Sequence, residues 1–156
     1  MSNQPLSFRQ AEINDLSTII QFLSDDPLGA EREKFEDPLP ESYIEAFSAI
    51  SDDPNNELLV ATIGSEIVGT LQITFIPGLS YQGGWRALIE GVRVHKNYRN
   101  QGIGKRIIQW TIDHAREKGC LIVQLASTKS RLEAIRFYKS LGFQGTHEGL
   151  KLYLDN

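Results

Sequence analysis

Val92-Arg93-Val94-His95-Lys96-Asn97-Tyr98-Arg99-Asn100-Gln101-Gly102-Ile103-Gly104-Lys105 is the stretch on which the fold turns. It starts in a β-branched run, passes through a short polar loop and ends on glycines that open a helical pattern. Glycine lets the backbone approach a ligand closely and adopt positive φ. A helix start leaves N–H groups unpaired and carries partial positive charge, which suits an anion. Arg99, Lys105 and Arg106 add formal charge beside it. The plain alternative is that Gly102 and Gly104 only permit close packing of helix on strand. The strand before, the helix after and the flanking cations together favour a phosphate-bearing ligand. The spacing is not that of a Walker loop, which needs a longer glycine interval followed by Lys-Ser/Thr. Nor is it a full dinucleotide fingerprint, which needs a third glycine.

Working outward, residues 85–94 read as the strand that feeds this turn. The helix after it runs to about residue 118, with Ile107, Ile108, Thr111, Ile112 and Ala115 as its buried stripe and Gly119 as its stop. Residues 121–127 form a nearly continuous apolar strand, as expected for one covered on both faces. A helix over 130–141 ends at Gly142, and 143–146 and 150–154 read as closing strands. Toward the amino terminus, 6–9 is a first strand. Asp15 is placed to cap a helix carrying Leu16, Ile19, Ile20 and Leu23. Residues 24–40 read as a solvated loop with room for a short helix. Pro40 opens a helix with Tyr43, Ile44, Phe47 and Ile50 on one face, which stops at Pro54. Strands 57–63 and 67–75 flank a hairpin at Gly64-Ser65-Glu66. Antiparallel strands first, then strand–helix–strand–helix, imply an α/β fold. Its mixed, mostly antiparallel sheet carries helices on both faces, in one domain spanning 1–156.

The totals agree. A chain of 156 residues with 40% hydrophobic and 23% charged residues can bury a core. The net charge of -4 argues against a nucleic-acid partner. One cysteine excludes an internal disulfide, and three histidines without metal-ligand spacing give no reason to expect a metal. The first residues lack the basic and apolar regions of a signal peptide, and no apolar run is long enough to span a bilayer, so the expected location is the cytoplasm, without a membrane partner.

The chain resembles the GNAT superfamily of N-acetyltransferases. The motif Arg99-Asn100-Gln101-Gly102-Ile103-Gly104 matches the family's Arg/Gln-x-x-Gly-x-Gly/Ala. Ile89-Glu90-Gly91-Val92-Arg93-Val94 supports it upstream. Ala134-Ile135-Arg136-Phe137-Tyr138 through Gly142-Phe143 looks like the family's second CoA-contacting helix. The resemblance implies transfer of acetyl from acetyl-CoA to a primary amine by direct attack in a ternary complex, with a small molecule as acceptor. Acetylation of a protein or peptide, and a non-catalytic acyl-CoA sensor, stay open. A homodimer is compatible with the family.

The resemblance also implies roles. Backbone N–H groups of Arg99, Asn100, Gln101, Gly102, Ile103, Gly104 and Lys105 hold the CoA diphosphate. The strand before the turn splays from its neighbour, so that Val92 and Val94 pair with the pantetheine arm. The N–H of Val92 faces the thioester oxygen, a fixed donor for developing negative charge. Arg131, Ala134, Phe137 and Tyr138 contact the cofactor from the second helix; the family often has asparagine at the position of Arg131, and arginine there could instead reach a CoA phosphate or the substrate. Tyr138 is the proton donor to the leaving thiolate, the alternative being a core residue beside Phe137. The attacking amine needs a base. Glu90 is the only carboxylate on its strand, and simple alternation puts it on the face of Val92. A pairing of Glu90 with Arg86 or Arg93 is the competing reading. Protein-lysine acetylating members carry a glutamate at the position of Leu88, which this chain lacks. His95 and His147 are the other candidate bases. Cys120 reads as a buried structural thiol. Acceptor candidates are Arg32, Glu33, Gln72 and Glu90, a set suited to a zwitterion, against a merely solvated loop for the first two.

Overall fold

In the computed structural model, which describes residues 5–154, the chain runs β1 (Ser7–Gln10), a 3-10 turn (Ile13–Asp15), α1 (Leu16–Leu23), α2 (Pro27–Arg32) and α3 (Glu41–Asp52). Strands β2 (Asn56–Ile63) and β3 (Glu66–Ile76), the helical turn α4 (Ser80–Gly83) and β4 (Trp85–Val94) follow. The chain then forms a 3-10 turn (Lys96–Tyr98), α5 (Ile103–Glu117), β5 (Cys120–Leu125) and α6 (Leu132–Ser140). Most of the amino-terminal stretch read for leader features lies outside the described residues.

The five strands form one sheet in the order β1-β2-β3-β4-β5. The first four are antiparallel neighbours, and β5 joins β4 in parallel after the α5 crossover. One face carries Leu59, Ala61, Leu71, Ile73, Ala87 and Ile89, all buried against Ile103, Ile107 and Ala115 of α5. Burying each of the leucines and isoleucines among them contributes about 1.5–3 kcal/mol. Alternation sends Val60 and Thr70 to the opposite face. They too are buried there, where α1 crosses β3 and β4 with Leu16, Ile19, Ile20 and Phe22 inward. Mixed sheet and helices on both faces are therefore as the pattern predicts.

Four expectations change. Asp15 precedes α1, but its side chain makes no cap bond to that helix. It accepts instead from the Glu12 N–H at 2.7 Å and from Arg9 at 2.7 and 3.0 Å, because the 3-10 turn places it back toward β1. Pro40 is the residue before α3, not its first, and the face with Tyr43, Ile44, Phe47 and Ile50 is half-buried. Strand β5 is not covered on both faces: Leu121 is 66% exposed, since β5 is the sheet's edge. Residues 143–146 and 150–154 form no strand. Leu150, Leu152 and Leu154 are 89%, 87% and 77% exposed, so alternation is present but no neighbouring strand takes it up.

Candidate active site

The site begins with an irregularity in β4. Gln72 of β3 stands opposite Glu90, yet the next matched pair is Thr70 with Arg93. Two steps on β3 thus face three on β4, a β-bulge. Gly91 sits in it at φ 63, a left-handed conformation that costs a side chain dearly. The extra residue reverses the alternation beyond it. Glu90 and Arg93 share the face of Gln72 and Thr70, whereas Val92 and Val94 turn toward the α5 side and pack on the core. This corrects the expectation that Glu90 and Val92 lie on one face.

The bulge also marks the point where β4 leaves β5. Their pairing ends at Ile89 with Leu125, and Glu90 to Val94 continue without it. A cleft opens there, lined by Glu90, Gly91, Val92, Arg93, Leu125, Ala126, Ser127, Arg131, Ala134 and Tyr138. Strand β4 gives the first four, β5 and the loop after it the next, and α6 the last. The predicted Glu90, Val92, Arg131, Ala134 and Tyr138 are brought together. Tyr138 packs edge-on to Phe137 and Phe143. Burial holds its hydroxyl above the ordinary phenol range, while Arg131 and Arg93 pull it the other way.

Past the cleft lies the glycine turn. Gly102 precedes α5 at φ 79, and Asn100 is left-handed at φ 62. The first bond into the helix runs from the Arg106 N–H to the Gly102 carbonyl at 3.2 Å. The four preceding N–H groups, from Gly102 to Lys105, have no helical acceptor. A Cβ placed on Gly104 would meet Phe137 Cζ at 3.6 Å and Val94 Cγ2 at 3.7 Å, ordinary contacts. Neither helix geometry nor internal packing demands glycine at 104. Arg99 is stapled by its Nε to the Val94 carbonyl at 3.2 Å and by Nη2 to Asp25 at 3.3 Å. Gln101 bonds the Asn97 carbonyl at 3.0 Å, and the Ile103 side chain is in the core, so these residues offer backbone. Lys105 is exposed.

The acceptor candidates divide. Gln72 lies beside the site but is tied to Asn56 at 3.1 Å. Arg32 pairs with Glu33 at the end of α2, and Glu33 also accepts from the Tyr43 hydroxyl at 2.9 Å. Neither lines the cleft. The other titratable candidates are engaged elsewhere. His95 accepts from the Asn97 N–H at 3.0 Å, and exposed His147 contacts Thr146. Cys120 is half-buried, with burial pushing its thiol up, away from the thiolate. Among the described residues no group of His, Cys, Asp and Glu could hold a metal ion.

Sequence reasoning missed the pair Arg93–Asp26. The Arg93 Nη2 lies 3.3 Å from Asp26 Oδ2, its Nη1 donates to the Val92 carbonyl at 2.9 Å, and its side chain is only 14% exposed. Asp26 caps α2 by accepting from Gly29 at 2.6 Å. Asp26-Pro27 is a cap signature that could have been read.

A mixed sheet whose strands part beside a glycine turn at a helix head leaves a strand edge and a helix start open to an extended, anionic ligand. The chain belongs to the acetyltransferase (GNAT) family, whose profile matches residues 20–143. It is thus an N-acetyltransferase by family. It is 33% identical to the thialysine N-epsilon-acetyltransferase of Sus scrofa over 86% of this chain and 81% of that protein. It is 27% identical to the aminoalkylphosphonate N-acetyltransferase of Salmonella typhimurium over 69% of each. Among solved structures, one described as a transcriptional regulator from Bacillus halodurans superposes with a TM-score of 0.92 at 51% identity, covering 96% of this chain and 100% of that one.

Proposed function

We propose that the chain is one catalytic domain over 1–156 that moves acetyl from acetyl-CoA to a primary amine on a small molecule, in the cytoplasm. The observation that carries this is the parting of β4 and β5 beyond Ile89 and Leu125, with Tyr138 and Glu90 lining the opening. The residues fit the thioester carrier. The N–H groups from Gly102 to Lys105 suit a diphosphate, and glycine stands at 104 although the packing around it would accept a Cβ. The free edge of β4 at Val92 and Val94 suits an extended amide arm. Phe137 borders Gly104 and Ala134 borders the cleft, so both meet the same ligand.

Acetyl-CoA supplies an activated acetyl group and a thiol that leaves. Val92 N–H donates a hydrogen bond to the carbonyl oxygen as the amine nitrogen attacks, stabilising charge from a fixed position. Tyr138 gives its proton to the departing sulfur. A thiol titrates near ~8.5 and a phenol near ~10, so a tyrosine kept protonated by burial is a competent donor. Glu90 takes the proton from the amine, directly or through water. No ion pair to Arg86 or Arg93 holds it among the described residues.

Relatives named for aminoalkylphosphonate, glucosamine 6-phosphate and thialysine support a small acceptor. The reading is tested by thiol release from acetyl-CoA with a pooled amine library. Release by wild type that falls strongly in Tyr138→Phe is expected. In Glu90→Gln the rate falls most at low pH, where free amine is scarce. Tight CoA binding with no release from any amine or peptide would replace the enzyme with a sensor.

A further inference from the structure

The cleft holds more cationic than anionic side chains, and their placement is informative. Arg93 and Arg131 both line it. Arg93 reaches one carboxylate, Asp26, at 3.3 Å, but its Nε is buried without a hydrogen-bond partner. Arg131 stands at the mouth, exposed, and pairs with no carboxylate among the described residues. Three guanidiniums, those of Arg93, Arg131 and Arg32, act on the single carboxylate of Asp26. Arg32 has a partner of its own in Glu33. Burial is the largest effect against the charged form of Arg93, Asp26 opposes it, and Arg131 and Arg32 add to it. Arg131 acts on Asp26, Arg93 and Tyr138 at the transfer end. Arg93 shares the face of Glu90, away from Val92 and Val94, which puts its unpartnered Nε on the acceptor's side of β4. Glu90, on the face of Arg93, adds a carboxylate for the amine.

Resting on the transferase reading, we infer that Arg93 and Arg131 form an anion subsite for the acceptor. The substrate is then a primary amine carrying a phosphoryl or carboxylate group a few atoms from the nitrogen. Arg131 supplies the exposed, adjustable contact. Arg93, fixed by Asp26 and the Val92 carbonyl, supplies the rigid one. A guanidinium binds either anion through paired N–H groups. The same chemistry is carried by phosphates of the coenzyme, and the experiment separates the two sources.

Thiol release is measured with aminopropylphosphonate, aminobutyrate and butylamine, in wild type and in Arg131→Gln. Wild type is expected to prefer the two anionic amines. Losing one charge-assisted contact raises their KM about 10- to 100-fold, by a factor well above any change for butylamine or acetyl-CoA. Equal use of butylamine by wild type overturns the subsite while leaving the transferase intact. A KM rise confined to acetyl-CoA assigns Arg131 to the coenzyme and also overturns it. Should no amine release thiol, the transferase reading fails by itself. Calorimetric binding of aminopropylphosphonate to the CoA-loaded protein then decides the subsite: binding lost in Arg131→Gln upholds it, and no binding by wild type overturns it.

Discussion

Asp26 and Arg93 tie the head of α2 to β4, with Oδ2 3.3 Å from the guanidinium while Oδ1 caps the helix through Gly29 at 2.6 Å. One carboxylate thus does two jobs, and two substitutions separate them. Asp26→Asn keeps the cap, since asparagine caps as well as aspartate, and loses the charge. Asp26→Ala loses both and strands a mostly buried guanidinium. We expect the alanine variant to lose about 2–4 kcal/mol of unfolding free energy and the asparagine variant about 1 kcal/mol less than that. Urea denaturation measures both. Because Asp26 holds Arg93, which lines the cleft, both should raise the acceptor KM and leave CoA affinity by calorimetry unaltered. Equal stabilities of the two variants would show that the cap contributes nothing.

Tyr138 should control the alkaline side of the rate profile. A general acid works while protonated, that is, below its pKa. Burial holds Tyr138 above the ordinary phenol value, so its proton stays in place throughout neutrality and somewhat beyond. The plateau of kcat should therefore extend upward and fall only at strongly alkaline pH. Tyr138→Phe should lower kcat about 100- to 1,000-fold and remove that alkaline limb. A variant that keeps its rate would leave Tyr138 as packing against Phe137 and Phe143.

The turn from Arg99 to Gly104 was legible because a positive-φ residue before a helix has a strong local signature. The same holds for β2, β3 and β4, whose alternation and turn residues agree with each other. Glu90 shows where local reading stops. Its face depends on a bulge whose only trace in sequence is Gly91, and a lone glycine in a strand has several meanings. Arg93 and Asp26 lie far apart in sequence and meet only in the folded chain, so no spacing announces them. Residues 150–154 fail for the opposite reason. Their alternation is strand-like, but strands need a neighbour, and alternation cannot supply one.

Gly104 offers a test in which stability and affinity move separately. Alanine there adds a Cβ at ordinary contact distance from Phe137 and Val94. It also replaces a poor helix former near the start of α5, so Gly104→Ala should hold or gain up to about 1 kcal/mol. Gly104→Glu adds the same Cβ but sends a negative chain toward the free N–H groups. We expect a folded protein with CoA affinity reduced more than about 100-fold, since repulsion between two negative groups at a helix head combines with steric exclusion. Calorimetry on material with native circular dichroism gives the answer. Undiminished affinity would move the diphosphate away from α5.

Asp15 makes a prediction about acid stability that does not involve the cleft. It receives both Arg9 nitrogens, at 2.7 and 3.0 Å, and the Glu12 N–H at 2.7 Å. These bonds favour its charged form, and the Arg9 hydrogen bond, the largest cause, holds the carboxyl below its ordinary value against the opposing effect of burial. A carboxyl that is more acidic when folded binds protons less readily in that state. Unfolded chains therefore gain protons first as pH falls, and stability is lost. The contribution is complete above the ordinary aspartate value of about 3.9 and disappears as pH drops from there through the lower folded value. Asp15→Asn should thus cost about 1–2 kcal/mol at neutral pH, with Arg9 partly exposed and its pairing correspondingly screened. The difference between wild type and variant should shrink on acidification below that value and stay constant above it. A difference that held steady down to the most acidic folded sample would mean that the carboxylate charge plays no part in joining β1 to α1.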